Sequence, residues 1–259
     1  MLPMTAGRRV ALAIGVPLCL ALTANTGYQL VADVGRGKVP IDYHIPAAVR
    51  QVSVTVPGGT ILLRQVAGGP GSIVGTGNYS LVRPHITERL TGSELAFGYA
   101  CSVPEGSCGM NGTVSVDGGT AVSVSTGGGN VTADGTSGRV SLSTGGGDVT
   151  ANRVSGDLAL STGGGNVQVT GVAATQVSAD TGGGDVEIVF TQVPRNVQVS
   201  TGGGNITIVV PAGSTQYHVT SSTAGGNNND EVPQNPLSPR VIDATSGGGD
   251  ITIREATSP

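Results

Sequence analysis

The residues of this sequence that could do chemistry recur at one place in a repeated string. Six copies of Gly-Gly-Gly are followed by Asn or Asp and then by Val or Ile, and a degraded copy adds a seventh. The seven polar residues are Asn130, Asp148, Asn166, Asp185, Asn205, Asn227 and Asp250. Such a column of side-chain oxygens could bind calcium, as in a β-roll, but calcium usually recruits several carboxylates per ion. Four of the seven are neutral Asn, so the pattern favours a corner-turning, hydrogen-bonding ladder and predicts no metal site.

Carboxylates on a repeat face could also act on a polysaccharide, as in β-helical lyases and hydrolases. Such an enzyme needs paired acids on one face, and the nearest candidates are Asp180, Asp185 and Glu187. Isolated acids on a repeat face are usually only solvated. We therefore expect no catalytic residue, no cofactor and no enzymatic activity.

A threonine column suggests a third chemistry, an ice-binding face. Its members are Thr126, Thr144, Thr162, Thr181 and Thr201. Serine precedes threonine in most copies, and successive side chains of a strand point to opposite faces. The two columns therefore do not form one flat array, and this interpretation is disfavoured.

Two cysteines flank a short segment, Cys101 to Cys108. An even pair in an exported domain is more often a disulfide than a metal site. Zinc would need further ligands, and His44, His85 and His218 all lie elsewhere in the sequence. The sequence predicts a structural disulfide that closes a small loop.

The composition limits the function classes. The 259 residues include 44 Gly but only 12% charged and 3% aromatic residues, with a net charge of -4. Aliphatic residues are abundant, so the chain has apolar surface to bury and is not disordered by composition. Beyond Arg8 and Arg9 no Lys/Arg cluster appears, so nucleic-acid binding is excluded.

The N-terminus has the pattern of an export signal. Arg8 and Arg9 precede an uncharged apolar run at 10–24, which predicts a short export helix in residues 1–26. Fifteen helical residues span about 22 Å, less than the roughly 30 Å of a bilayer core. A cleaved signal peptide is favoured, and a retained membrane anchor stays open. Either one places the remaining chain outside the cytoplasm, at the envelope or secreted.

The repeats predict an all-β parallel solenoid with rungs of roughly 18–23 residues. The intervals between the polar corner residues are 18, 18, 19 and 20 residues, and the copy at Asn227 divides the last gap into 22 and 23. Period-2 strands flank each glycine corner. We expect valines to point inward and Ser, Thr and Gln outward, and we expect corner glycines such as Gly164 to adopt positive φ.

The sequence predicts three parts. Residues 1–26 are the signal peptide or membrane anchor, residues 27–46 form a linker or N-terminal cap, and residues 47–256 form one solenoid domain. Within that domain the regular repeats occupy 113–256, and an Asn/Asp/Pro-rich stretch at 225–240 predicts an exposed loop.

These features together resemble a known family. An export segment, a Cys-x6-Cys loop after the strand ERLTGSELAF, tandem T-G-G-G-[ND]-[VI]-x-[VI] rungs and a late S-P-R are similar to the bacterial putative-adhesin proteins, a family of unknown function. The similarity covers about residues 45 to 256. It implies a cell-envelope β-solenoid that is called adhesin-like.

The expected function is therefore non-enzymatic surface interaction. The rungs or the 225–240 loop would contact an unidentified surface ligand, such as a wall polymer, another cell or an envelope protein. A membrane-associated structural or envelope-stress signalling module is the alternative. Any contact with a membrane is expected only through residues 10–24, if they are not cleaved.

Overall fold

A computed structural model describes residues 36–102 and 108–257 of the chain. The predicted export helix in residues 1–26 lies outside the described residues. Between residues 36 and 257, the described segments contain strands and turns but no helix, and so none that could cross a bilayer.

The described residues form 21 strands in chain order. They are β1 (Arg36–Ile45), β2 (Gln51–Val56), β3 (Ile61–Gln65), β4 (Gly71–Ser80), β5 (His85–Thr91), β6 (Glu94–Ala100), β7 (Gly109–Val116), β8 (Ala121–Thr126), β9 (Val131–Asp134), β10 (Val140–Thr144), β11 (Val149–Asn152), β12 (Leu158–Thr162), β13 (Val167–Val172), β14 (Gln176–Thr181), β15 (Val186–Phe190), β16 (Asn196–Thr201), β17 (Ile206–Val210), β18 (His218–Thr223), β19 (Asn228–Glu231), β20 (Val241–Ser246) and β21 (Ile251–Glu255).

Two long sheets face each other across the molecule. Sheet A has 11 strands in the order β1-β4-β7-β3-β9-β11-β13-β15-β17-β21-β19, and sheet B has 10 in the order β18-β20-β16-β14-β12-β10-β8-β2-β6-β5. Each rung contributes one strand to each sheet, and in every rung except that of β6 and β7 a glycine corner joins the two strands. Neighbouring rungs pair in parallel, so that Val140 lies beside Val122 on one side and Leu158 on the other. The predicted all-β parallel architecture is confirmed, with two strands per rung.

The core is a continuous aliphatic column between the sheets. Val140 and Leu142 of β10 and Val149 and Ala151 of β11 are buried, and the same alternation recurs rung after rung. Because side chains alternate across a strand, every second residue enters the core. Truncating one of these side chains, such as Leu142, to Ala should cost about 2 to 5 kcal/mol.

The threonines of the corner strings point inward, contrary to the sequence-based expectation. Thr144 lies on the same side of β10 as Val140 and Leu142 and is 3% exposed. Its hydroxyl donates to the carbonyl oxygen of Gly129 on the neighbouring rung at 2.8 Å and accepts the N–H of Gly147 at 3.3 Å. The alternation that buries the valines also buries Thr, so the threonine column is not exposed and the disfavoured ice-binding interpretation is excluded.

Most glycine corners are constrained by stacking rather than by φ, although Gly59 and Gly129 have φ values of 106° and 98°. A Cβ on Gly163 would lie 2.3 Å from the carbonyl oxygen of Gly145, and one on Gly165 would lie 2.1 Å from that of Gly147. Gly164, between them, has nothing within 4 Å and no positive φ. The expectation of a left-handed Gly164 is therefore wrong. The outer glycines leave room for the backbone of the adjacent rung, and the middle one faces open space.

The rungs at the C-terminal end do not stack in chain order. Strands β20 and β21 insert between the rung of β16 and β17 and the rung of β18 and β19, which becomes the outermost. Residues 228–231, predicted to belong to an exposed loop, form β19 and pair with β21. Backbone pairing with β21 satisfies this polar segment, so the prediction of a loop over all of 225–240 needs correction.

At the N-terminal end, two further rungs continue both sheets, and antiparallel strands then cover the end of the stack. The rung of β2 and β3 lies between the rung of β6 and β7 and that of β8 and β9. Beyond the rung of β6 and β7, three antiparallel strands follow. Strand β4 pairs with β7, β1 pairs with β4, and β5 pairs with β6. Since β1 belongs to sheet A, strand structure begins within the stretch at 27–46 for which we proposed a linker or cap.

Two tyrosines near opposite ends of the solenoid differ in how their hydroxyls are satisfied. The Tyr99 hydroxyl donates to the carbonyl oxygen of Asn78 at 2.8 Å. The Tyr217 hydroxyl is buried without a hydrogen-bond partner among the described residues. Burial raises the pKa of both tyrosines; for Tyr217, Arg240 opposes this rise and Glu255 adds to it.

Alanine substitutions at two glycines of one corner should show whether glycine is required there for close backbone stacking or for its conformational preference. Gly165→Ala should destabilise the fold by about 1 to 3 kcal/mol, because its Cβ would force the stacked rungs apart. Gly164→Ala is the matched control and should change the free energy of unfolding by less than about 0.5 kcal/mol. Urea unfolding of the three proteins measures both values. Equal loss in the two variants would contradict the stacking explanation.

Removing each tyrosine hydroxyl should have opposite effects. Tyr99→Phe should cost about 1 kcal/mol because it deletes a hydrogen bond, whereas Tyr217→Phe should be neutral or stabilising because it deletes a buried, unpartnered hydroxyl. A raised tyrosine pKa favours the fold below about pH 10, and that stability is lost as pH rises through the folded-state value. Thermal unfolding at neutral and alkaline pH should therefore show a shallower alkaline loss for Tyr217→Phe. A large loss in Tyr217→Phe at neutral pH would contradict the assignment.

Candidate functional site: the Asn/Asp column and the outer sheet faces

The seven corner Asn and Asp residues lie in one column along the edge of the solenoid. In six of the seven, the side-chain Oδ1 accepts the backbone N–H of the corner residue on the next rung; Asn227, on the outermost rung, ends the column. Asn130 accepts from Asp148 at 2.9 Å, Asp148 from Asn166 at 2.8 Å, and Asn166 from Asp185 at 2.8 Å. Three further bonds of 2.7 to 2.9 Å continue the column through Asp185, Asn205, Asp250 and Asn227.

The spatial order of the column makes its charges alternate strictly. Because the rung of Asp250 inserts between those of Asn205 and Asn227, the column alternates Asn and Asp from Asn130 to Asn227. No two carboxylates are on adjacent rungs within it. At the end of the column, the Asn227 amide also donates to Asp250 Oδ1 at 3.3 Å.

A shallow groove of about 300 Å³ runs beside this column on sheet A. Asp148, Asn166 and Asp185 line one side, and Thr150, Gln168 and Glu187 rise from the outer face of the strands. Of the three acids considered for catalysis, Asp185 and Glu187 both line this groove. Asp180 lies on the outer face of sheet B, where it accepts a hydrogen bond from the Ser200 hydroxyl. The structure therefore separates Asp180 from the other two acids.

The described part of the chain brings together no three His, Cys, Asp or Glu side chains that could hold a metal ion. In the column, each Asp already uses one oxygen to cap a backbone N–H, and the rungs beside it contribute neutral amides. The arrangement is chemically a hydrogen-bonding ladder. Its side-chain oxygens accept backbone N–H groups and so hold neighbouring corners together.

Cys101 and Cys108 form a disulfide, with their Cα atoms 6.1 Å apart. The bond joins the end of β6 to the residue that precedes β7, so it closes the corner of the rung next to the antiparallel cap. Both cysteines pack against the core. They fix the corner of a rung that has no Gly-Gly-Gly string.

The outer face of sheet B carries a column of seven hydroxyl side chains interrupted by Asp180; the outward direction of Ser was expected from the sequence, but the alignment into one column was not. The strand register aligns Thr55, Ser125, Ser143, Ser161, Asp180, Ser200, Thr245 and Ser222. All eight side chains lie on the solvent face, next to a second column that includes Ser123, Ser141 and Ser178. The signal was present in the Ser that precedes most corner threonines, since Thr faces the core and the preceding residue must face water.

The fold and these surfaces define a two-sheet parallel β-solenoid with an Asn/Asp ladder along one edge and small polar side chains on its faces. The Toastrack DUF4097 family model matches residues 110–257. The chain belongs to this family. The match begins at β7, although the strands before it continue the same two sheets.

Three solved structures are similar to the chain. A putative cell adhesion protein from Clostridium sporogenes is 13% identical with a TM-score of 0.35, covering 84% of this chain and 100% of that one. Putative adhesins from Bacteroides fragilis and Parabacteroides distasonis are 17% and 11% identical, with TM-scores of 0.44 and 0.45, and each match covers 85% of this chain and 97% of the other. Among curated proteins, none matches the chain.

Breaking the alternation of the column should cost stability in a salt-dependent way. Asn166→Asp keeps the oxygen that accepts the Asp185 N–H but places three carboxylates on consecutive rungs. At a spacing of about 5 Å each new pair repels by roughly 0.8 kcal/mol in water. We expect a loss of about 1 to 2 kcal/mol at low salt and less at high salt.

Asn166→Ala is the control for this variant, because it removes the acceptor without adding charge. It should cost about 1 kcal/mol at every salt concentration. Urea unfolding at low and high salt, with and without calcium, measures the difference. Rescue of Asn166→Asp by calcium alone would favour a metal site, and full stability at low salt would contradict the stacked column.

Proposed function

We propose that this protein is a non-enzymatic, exported surface-interaction module of adhesin-like type. The observation that supports it is the hydroxyl column on sheet B, because it is exposed and supplies a hydroxyl at seven of its eight positions, at the spacing of the rungs. The column spans eight parallel rungs separated by about 4.8 Å, which gives a rigid face about 34 Å long. Such a face suits an extended ligand better than a small molecule.

The side chains on this face indicate the chemistry of the ligand. Ser and Thr hydroxyls both donate and accept hydrogen bonds, and their small size keeps the surface flat. An extended wall polymer rich in hydroxyl or amide groups could form one weak contact per rung. Many weak contacts on one rigid support give strong binding through effective concentration.

A bulky charge in the middle of the face tests this proposal. Ser161→Arg should lower binding of the purified protein to isolated cell walls by about tenfold or more, because the long side chain prevents a flat ligand from approaching over several rungs. Thr150→Arg, on the outer face of sheet A, is the matched control and should bind like the parent. Co-sedimentation with cell walls measures binding, and thermal unfolding confirms that both variants fold.

Two results would contradict the proposal. Unchanged binding of Ser161→Arg would exclude the sheet B face. If the parent protein bound no wall or cell, resisted protease on intact cells and co-purified with membrane proteins, the structural or signalling alternative would be favoured.

A further inference from the structure

Charge is divided along the solenoid axis. Residues 36–102, which supply all strands of the N-terminal end except the uncharged β7, hold six Arg and Lys against three Asp and Glu, a net charge of +3. Residues 108–257 hold five Arg against twelve Asp and Glu, a net charge of -7. The molecule is therefore a dipole whose basic end is the end at which β1 begins.

One corner of the basic end combines cations with exposed apolar side chains. We call it the basal corner and define it by Arg36, Lys38, Tyr79, Leu81, Val82 and Arg83. Antiparallel pairing places Arg36 opposite Ser80 and Lys38 opposite Asn78, so the start of β1 and the end of β4 lie together. Arg36, Lys38, Asn78 and Tyr79 line a cavity of about 520 Å³.

The apolar residues of this corner are held outward by a strained turn. The N–H of Val82 donates to the carbonyl oxygen of Ser80 at 2.7 Å, and Leu81 between them has a φ of +63°. This is the rare, strained γ-turn, and a bulky residue in left-handed conformation is unusual. Leu81 and Val82 are 40% and 46% exposed. Strain that exposes two aliphatic side chains instead of burying them points to a partner for them.

We propose that the basal corner docks on an anionic phospholipid surface. Lys38 and Arg83 would attract lipid phosphates, Leu81 and Val82 would enter the boundary between headgroups and acyl chains, and Tyr79 would lie at the interface that tyrosine favours. The acidic remainder of the solenoid is repelled from the same surface, so the dipole sets the orientation. Eleven residues separate the apolar run at 10–24 from Arg36. Fully extended, they reach at most about 40 Å, so a retained anchor would keep the corner near the bilayer.

This docking is independent of the ligand bound by sheet B, and its test uses lipid alone. The full chain is mixed with vesicles of phosphatidylcholine, with or without phosphatidylglycerol, and the ratio of the two partition coefficients is measured. Insertion of residues 10–24 adds to binding in both lipids, and the attraction of Arg8 and Arg9 to the anionic vesicles is the same in every variant, so the difference in this ratio between variants isolates the basal corner. Wild type should prefer the anionic vesicles, and 1 M salt should abolish the preference.

Charge reversal at two sites identifies the surface. Lys38→Glu/Arg83→Glu should lower the ratio at least about 25-fold, because each cation near an anionic surface contributes about fivefold. Arg195→Glu/Arg240→Glu, an equal charge change on exposed residues toward the far end, should leave the ratio unchanged. Leu81→Ser/Val82→Ser should weaken binding to the anionic vesicles several-fold. Circular dichroism and thermal unfolding verify that all three fold.

A wild-type ratio near one would overturn the proposal, as would an equal fall in both charge-reversal variants. Ser161→Arg should keep the wild-type ratio. A failed lipid test leaves the wall-binding results unchanged, and a failed wall test leaves the vesicle ratios unchanged. The failure of this proposal can therefore be told apart from the failure of the proposed function.

Discussion

The close stacking of backbone on backbone at each glycine corner is the constraint on which the rest of this structure depends. The carbonyl oxygen of Gly147 occupies space that a side chain on Gly165 would need, and the same relation recurs on the following rungs. Only at this separation can a threonine hydroxyl reach the neighbouring rung's carbonyl and an Asn or Asp oxygen reach the neighbouring rung's N–H. Strand register, buried polar groups and the surface column are therefore consequences of one repeated spacing.

This dependence explains why the most conspicuous polar residues are structural. A corner leaves backbone N–H groups that no strand partner can satisfy, and unsatisfied backbone groups are costly. The Asn/Asp column supplies the acceptors. Both residue types offer the same oxygen in the same place, but a column of Asp alone would accumulate repulsion, so alternation with Asn retains the hydrogen bonds with less charge. The residues available for ligands are the less conspicuous serines of sheet B.

Much of the fold was predictable because its signals are local. The Gly-Gly-Gly strings give the rung length, the alternating valines give the strands, and Cys101 and Cys108 indicated the disulfide. The inward direction of Thr144 was also readable, since it shares the parity of Val140 and Leu142. The conformation of Gly164 was not predictable from the sequence, because a run of three glycines permits both positive φ and close stacking. The order of the terminal rungs and the antiparallel strands β1 and β4 depend on distant pairings that no local pattern encodes.

The interleaved ends have a consequence for how such a protein can change its length. The last strands of the chain, β20 and β21, lie inside the stack, and the outermost rung precedes them in sequence. A copy appended after residue 257 would find β18 and β19 already occupying the position beyond the final rung. A copy inserted between β8 and β15 would meet identical corners above and below. Growth of this solenoid by gene duplication is therefore confined to its middle, while its two ends are inherited as fixed units.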